Sequence, residues 1–196
     1  MKAVLISIQP KWVEKIARGQ KTIEVRKTAP KKVPFKCYIY CTFPKKPAYT
    51  LWLNRGTENK FLADGKVIGE FVCDKVFLLH PYTYDRGSAD LGHRKFIQTF
   101  EGSQKGNEIL DATCLTQDEM FDYIGIGNYG YGWHISDLKI YDKPKELSEF
   151  YSKCNIPESK CKCCDNCFER ESGYDGYYAV KKLTRAPQSW QYVEEL

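Results

Sequence analysis

A chain of 196 residues with 42% hydrophobic and 14% aromatic content can bury one substantial core, which excludes an intrinsically disordered protein. No apolar run is long enough to span a membrane, and the N-terminus lacks a signal-peptide core, so we expect a cytoplasmic protein. The net charge is +5, but residues 1–46 contain 12 Lys and Arg against two Glu, a balance of +10, which leaves −5 for the remaining 150. This asymmetry predicts a phosphate-attracting surface; lysines that only solubilise the fold are the alternative.

The first two elements are a strand and a helix. The apolar run Ala3 to Ile8 predicts a buried strand. Helical spacing then places Trp12, Val13, Ile16 and Ala17 on one apolar face, with Pro10 in the first turn. Gly19 is positioned for a left-handed cap that ends this helix.

A short strand with charged side chains follows Gly19. Alternation places Ile23 and Val25 on one face and the polar residues on the other, namely Thr22, Glu24 and Arg26. Together with Lys21 in the preceding turn, these charges suit recognition of a base edge and a phosphate. A salt-bridged, exposed strand is the alternative interpretation.

These residues also form a motif. The motif resembles the signature of the ASCH domain, a branch of the PUA-like superfamily, through Ser7, Pro10, Trp12, Gly19, Lys21, Thr22, Glu24 and Arg26. The resemblance covers roughly residues 1–150. It implies an α+β fold built on a small β-barrel with flanking helices, and a cleft that binds RNA or modified nucleosides.

The middle of the chain alternates between strands and irregular segments. Residues 27–36 predict a basic loop, and 37–42 a strand in which Cys37 and Cys41 are core residues. Residues 43–65 are rich in turn formers and predict a long loop with at most one helical turn. Residues 65–80 resume strand character, with Gly69 at a bulge or a point of close approach, and Glu70 beside it faces either the cleft or the rim.

Between residues 81 and 145 the clearest element is a helix. Thr116 and Glu119 form a capping-box pair, and Gly125 stops the helix. His80 and His93 are separate in the sequence and lack metal-motif spacing, so each is interpreted as an ordinary polar residue.

A glycine-rich aromatic loop comes next. Its glycines alternate with Tyr129, Tyr131 and Trp133, which predicts aromatic faces available for stacking; ordinary β-turns are the alternative. The strand WHISDLKIY follows and should run back past the strand that carries Glu24.

A cysteine-rich segment at residues 152–173 interrupts the C-terminal part of the chain. It contains two overlapping C-x-x-C pairs, and its spacing predicts a structural zinc site with the ligands Cys154, Cys161, Cys164 and Cys167, or with Cys163 as the alternative fourth ligand. A flexible loop carrying a disulfide is the competing interpretation. A final strand, YYAVKKL, precedes a terminal segment in which Trp190 either packs or lies near the cleft.

The sequence therefore predicts one domain over residues 1–196, with residues 152–173 as an insertion. The favoured function is binding of RNA or a modified nucleotide, with Lys21 and Arg26 toward phosphate or base acceptors and Glu24 toward an amino edge. Ser7, Trp12, Thr22 and the three aromatic residues of the loop complete the predicted site.

Two other functions stay open. Some proteins similar to this family hydrolyse N4-acetylcytidine, using a lysine matched by Lys21 to activate a threonine. Here the matched position holds Glu24, and a carboxylate does not replace a hydroxyl nucleophile without changing the intermediate. The catalytic alternative is that Lys21 and Glu24 together polarise a water molecule, as general base and electrostatic partner. The third possibility is a protein-interaction module with an acidic partner.

Overall fold

The computed structural model describes residues 3–44, 50–55, 59–84, 94–99, 106–153, 167–172 and 176–196. The chain divides into two compact units. The first unit comprises Met1–Glu14, Phe35–Phe71 and Leu138–Leu196, and the second comprises Lys15–Pro34 and Val72–Asp137. Among the helices in those described stretches, none is both long and apolar enough to cross a membrane.

Strands outnumber helices along the described chain, and the predicted α+β class is confirmed. The helices are α1 (Pro10–Ala17), α2 (Gly106–Thr113) and α3 (Gln117–Ile124). The strands are β1 (Ala3–Ile8), β2 (Ile23–Arg26), β3 (Phe35–Cys41), β4 (Trp52–Arg55), β5 (Asn59–Leu62), β6 (Val67–Cys73), β7 (Val76–Tyr84), β8 (Arg94–Thr99), β9 (Gly130–His134), β10 (Ser136–Lys145), β11 (Tyr151–Lys153), β12 (Cys167–Ser172), β13 (Gly176–Lys182) and β14 (Trp190–Val193).

The first unit is built around a five-stranded sheet of order β10-β6-β3-β1-β14. Strand β1 lies in its interior, parallel to β3 and antiparallel to β14, and all six of its residues are buried, as the apolar run predicts. The core includes Leu5, Val67 and Leu183, and the ring of Tyr38 meets that of Phe150 edge to face at 5.0 Å. A three-stranded sheet, β11-β13-β12, and a hairpin, β4-β5, complete this unit.

Two local predictions for the first unit are confirmed and one is wrong. Cys37 and Cys41 are buried core residues. A Cβ on Gly69 would lie 2.4 Å from the backbone oxygen of Lys139, so glycine permits the predicted close approach of two strands. Residues 43–65 are not one loop, because Trp52 pairs with Leu62 in the β4-β5 hairpin. Cross-strand pairing overrode the abundance of turn formers.

The second unit is a four-stranded sheet, β2-β9-β7-β8, with α2 and α3 packed on one face. Its core contains Ile23, Val25, Phe77 and Leu79 from the strands and Ile109, Met120 and Ile124 from the helices. The capping box of Thr116 and Glu119 is present, and Gly125 ends α3 at φ 92°. Gly19 ends α1 at φ 69°, as predicted. Helix α2 was not foreseen.

The aromatic segment differs from its prediction. Tyr131 and Trp133 lie on strand β9, not in a loop, and only Tyr129 precedes it. The predicted strand WHISDLKIY is divided at Ile135: Trp133 and His134 lie on β9, which pairs antiparallel with β2, whereas Ser136–Lys145 form β10, which pairs with β6. The strand orders of all four sheets are open, so no closed barrel is formed by the pairings among described residues.

Candidate nucleic-acid interface

Three buried charges form the base of the candidate site in the second unit. The carboxylate of Glu24 lies between two cations, with Oε2 at 3.3 Å from Lys21 Nζ and Oε1 at 3.2 Å from Arg26 Nη2. Lys21 is 2% exposed, Glu24 4% and Arg26 9%. A carboxylate with two cationic neighbours has its charge more than balanced, so this cluster carries a net positive charge.

Lys21 is anchored to the end of helix α2. Its ammonium donates to the backbone oxygen of Thr113 at 2.7 Å and to that of Ile23 at 2.9 Å. Thr113 is the last residue of α2, where carbonyl groups lack intrahelical donors and the helix dipole favours a cation. The amide of Thr22 reinforces this attachment by donating to the oxygen of Ala112 at 3.0 Å. Lys21 therefore joins the turn before β2 to α2.

Register places the charged and aromatic residues on the same sheet face. Glu24 pairs with Trp133, and Arg26 pairs with Tyr131. Because side chains alternate along strands, this face is opposite the one that Ile23 and Val25 direct into the core with α2 and α3. On strand β7 the same face carries Val76 and Leu78, opposite Trp133 and Tyr131, and then His80 and Tyr82.

Exposure rises along this face. Trp133 is fully buried beside Glu24, Tyr131 is partly exposed beside Arg26, and Tyr129 is 51% exposed. The ring of Tyr129 stacks on His80, with centroids 4.7 Å apart and planes inclined by 24°. His80 in turn lies 6.0 Å from Tyr82 at 25°. The charged end is therefore enclosed, and the exposed end presents a row of nearly parallel rings, which we call the ring row (Tyr129, His80 and Tyr82).

The second unit also contains a concentration of positive charge. Residues 15–34 hold seven Lys and Arg and a single acidic residue, Glu24. Four of these cations are exposed: Arg18, Lys27, Lys31 and Lys32. The predicted basic character of the N-terminal third thus includes solvent-accessible cations in the unit that carries the ring row.

Three further predicted site residues are Ser7, Trp12 and Thr22. Ser7 and Trp12 belong to the first unit, where Ser7 Oγ donates to the oxygen of Pro187 at 2.6 Å and Lys11 Nζ lies 4.1 Å from the centroid of the Trp12 ring. Thr22 is exposed and contributes backbone hydrogen bonds to the second unit. The structure brings together Lys21, Glu24, Arg26, Tyr131 and Trp133.

His80 and Tyr82 were missed in the sequence, although a signal existed. Along β7, Phe77 and Leu79 alternate with residues that include His80 and Tyr82, which is the period of a strand with one core face. His80 is therefore part of an aromatic surface. His93 lies outside the described residues.

The zinc prediction falls largely outside the described residues, which exclude Cys154, Cys161, Cys163 and Cys164. Cys167 begins β12. The residues that the structure describes contain no group of three or more candidate ligands. The predicted zinc site is therefore neither supported nor contradicted.

Comparison with known proteins gives structural neighbours only. No protein-family model matches the chain, and neither does any curated protein. A point mutant of ZmASCH from Zymomonas mobilis is similar at a TM-score of 0.45 and 15% identity, over 75% of this chain and 77% of the other. The crystal structure of ASCH from the same organism gives 0.44 and 15%, over 74% of each chain. Both neighbours are ASCH proteins, and the motif of residues 7–26 resembles the signature of the ASCH domain.

Proposed function

We propose that the second unit binds RNA or a modified nucleotide on the sheet face that carries Arg26, Tyr131 and the ring row. The observation that carries this proposal is the half-exposed ring of Tyr129, supported from behind by the nearly parallel ring of His80 at 4.7 Å. A ring held in one orientation presents a flat surface at little entropic cost. Every nucleobase has a π-face that can stack on such a ring, at roughly 1–3 kcal/mol per base.

Electrostatics supports the same ligand. The exposed cations Arg18, Lys27, Lys31 and Lys32 lie in this unit and attract phosphates. The buried cluster adds a net positive charge, because Glu24 is flanked by two cations. Arg26, at 9% exposure and beside Tyr131, offers at most the edge of its guanidinium to a ligand. Stacking and charge together suit a nucleic acid better than an acidic protein, for which flat rings give no particular advantage.

The geometry of Lys21 favours binding over hydrolysis. A lysine that activates a nucleophile must offer a neutral amine to the attacking group. Here the Lys21 ammonium donates to two backbone carbonyl oxygens and faces the carboxylate of Glu24, so its hydrogen bonds are made to structural partners. We therefore propose that Lys21 positions β2 against α2 and supplies fixed positive charge.

Filter binding of single-stranded RNA across a salt series tests this proposal. Each neutralised phosphate contributes about 0.7 to the slope of log K against log salt for single strands, so four contacts predict a slope of about −3. The double variant Lys31→Ala/Lys32→Ala should reduce that slope by about 1.4. Tyr129→Ala should weaken binding by roughly 1–3 kcal/mol with the slope unchanged, since stacking releases no counterions.

Tyr192→Ala serves as the matched control. Tyr192 is a 44% exposed tyrosine in the first unit, so its loss should leave RNA affinity unchanged. Absent binding, or binding that is indifferent to salt and to Tyr129→Ala, would contradict the proposal.

A further inference from the structure

We infer that the β4-β5 hairpin of the first unit docks a short acidic segment of another protein, which carries an aromatic or aliphatic anchor residue. The contact surface consists of Trp52, Leu62 and Lys60, with Phe43 beside them, and we call it the hairpin patch. The inference goes beyond the proposed function and does not depend on it, because the hairpin patch belongs to the first unit and the ring row to the second.

Alternation along the hairpin separates a buried face from an exposed one. Leu51 and Leu53 are 5% and 8% exposed, whereas Trp52 between them is 58% exposed. Register places Trp52 directly opposite Leu62, which is 38% exposed, so the two apolar side chains share the outer face. The solvent face of an antiparallel pair is normally polar. A tryptophan and a leucine paired on that face therefore indicate a contact surface.

Phe43 extends this apolar surface. Its ring is 71% exposed and lies against Gly65, where an added Cβ would clash with the ring. Gly65 follows Leu62 by three residues, and its amide donates to the oxygen of Cys41 at 2.8 Å, so the chain brings Phe43 to the end of the hairpin. Exposed apolar side chains that lie together, and not scattered singly, mark interaction sites.

The exposed ring area sets the size of the partner. A fully covered aromatic side chain buries about 150–250 Å², so the exposed fractions of Trp52 and Phe43 leave roughly 200–300 Å² of ring surface. A stable protein–protein interface buries about 800 Å² on each partner, so the hairpin patch is too small to hold a second copy of this chain. It suits one or two anchor side chains of a short segment.

Charge selects an acidic segment. Lys60 is exposed and lies two residues before Leu62, so both side chains project from the same face of β5. Residues 43–66 hold five Lys and Arg against two acidic residues, Glu58 and Asp64, and Asp64 is only 6% exposed. Carboxylates that flank an apolar anchor therefore meet a positive potential at this surface.

A nucleic acid fits the hairpin patch less well than a peptide does. A base stacks on a flat aromatic ring, whereas Leu62 offers an aliphatic side chain without such a face. An apolar anchor residue packs against Trp52 and Leu62 together. Tryptophan is also among the residues that most often dominate the binding energy of protein–protein contacts.

Selection from a display library of random dodecapeptides on the full chain tests the inference. Enriched peptides should carry Asp or Glu next to an aromatic residue or leucine. An enriched peptide, synthesised and titrated by calorimetry, should bind Trp52→Ser at least about 30-fold more weakly than wild type, as expected for a hot-spot residue. Lys60→Gln should lower the affinity by up to about 5-fold, and by less at high salt. The control Tyr192→Ala, which replaces an exposed tyrosine of the same unit, should leave the affinity unchanged.

The outcomes separate this inference from the proposed function. Absence of any enriched peptide, enrichment of peptides without acidic residues, or equal affinity of the selected peptide for wild type and Trp52→Ser would each overturn it. Trp52→Ser should leave the affinity for single-stranded RNA unchanged, and a loss of RNA binding in place of peptide binding would make the hairpin patch a nucleic-acid surface. Protein that binds the acidic peptide but no RNA would overturn the proposed function and uphold this inference.

Discussion

Replacing Lys21 by alanine should destabilise the protein more than any exposed lysine replacement. Lys21 is 2% exposed, and its ammonium satisfies the carbonyl oxygens of Ile23 and Thr113 while facing Glu24. The variant loses both hydrogen bonds and leaves the buried Glu24 with Arg26 as its counter-ion. Each of these changes removes a favourable interaction from a region that water does not reach.

The magnitude follows from the burial of the pair. Removing one partner of a buried ion pair costs about 3–5 kcal/mol, because the remaining charge is not resolvated. The two carbonyl groups lose donors worth about 1 kcal/mol each, but part of this loss is already contained in the ion-pair figure. We therefore expect a decrease of about 3–5 kcal/mol in the free energy of unfolding. For a chain of this length, this corresponds to a fall in Tm of roughly 6–20 °C.

Urea unfolding followed by circular dichroism measures the difference. Lys21→Met keeps the aliphatic stem and should lose nearly as much stability as Lys21→Ala, because the charge and its donors matter more than the volume. Lys31→Ala, an exposed loop replacement, should change stability by less than about 0.5 kcal/mol. A loss below about 1 kcal/mol for both Lys21 variants would refute this reasoning.

Three further predictions concern pH, metal and catalysis. Burial, and then a hydrogen bond to Glu70, raise the pKa of Tyr141, so the stabilising contribution of Tyr141 is complete below pH 10 and falls at higher pH. Between pH 9 and pH 11, the free energy of unfolding measured in urea should therefore fall less for Tyr141→Phe than for wild type. Equal decreases in the two proteins would count against this prediction. Protein purified without chelator should hold about one equivalent of zinc that Cys164→Ser releases, and metal-free protein with unchanged stability in that variant would end the zinc proposal. Wild type should release no acetate from N4-acetylcytidine. Acetate release by wild type that Lys21→Ala abolishes would establish the hydrolase alternative. Activity that appears only in Glu24→Thr would fit a binding protein on a hydrolase-like scaffold.

Local elements of the fold were predictable wherever one physical signal dominated. The buried strand β1, the caps of α1 and α3 and the close approach at Gly69 follow from hydrophobic run length, capping chemistry and the missing Cβ. The hairpin β4-β5 was missed because short strands depend on their partner and not on local propensity. Helix α2 was missed because eight residues without a cap signal give a weak pattern.

The candidate site was predictable in composition but not in geometry. Alternation along β2 placed Glu24 and Arg26 on one face, and the structure agrees. The burial of Lys21 and its attachment to Thr113 depend on a contact across 92 positions of sequence, which no local pattern reports. The stacking of His80 on Tyr129 is equally non-local, since β7 and β9 meet only through sheet pairing.

Photocrosslinking tests the central claim most directly. Single-stranded RNA containing 4-thiouridine reacts on irradiation with the side chains that its bases contact, and mass spectrometry locates the crosslinked residues. The proposed interface predicts crosslinks at Tyr129 and Tyr131, which decrease as the salt concentration rises and are lost with an excess of unlabelled RNA. Crosslinks confined to the first unit, or an absence of crosslinks at low salt, would contradict the claim that this sheet face binds RNA.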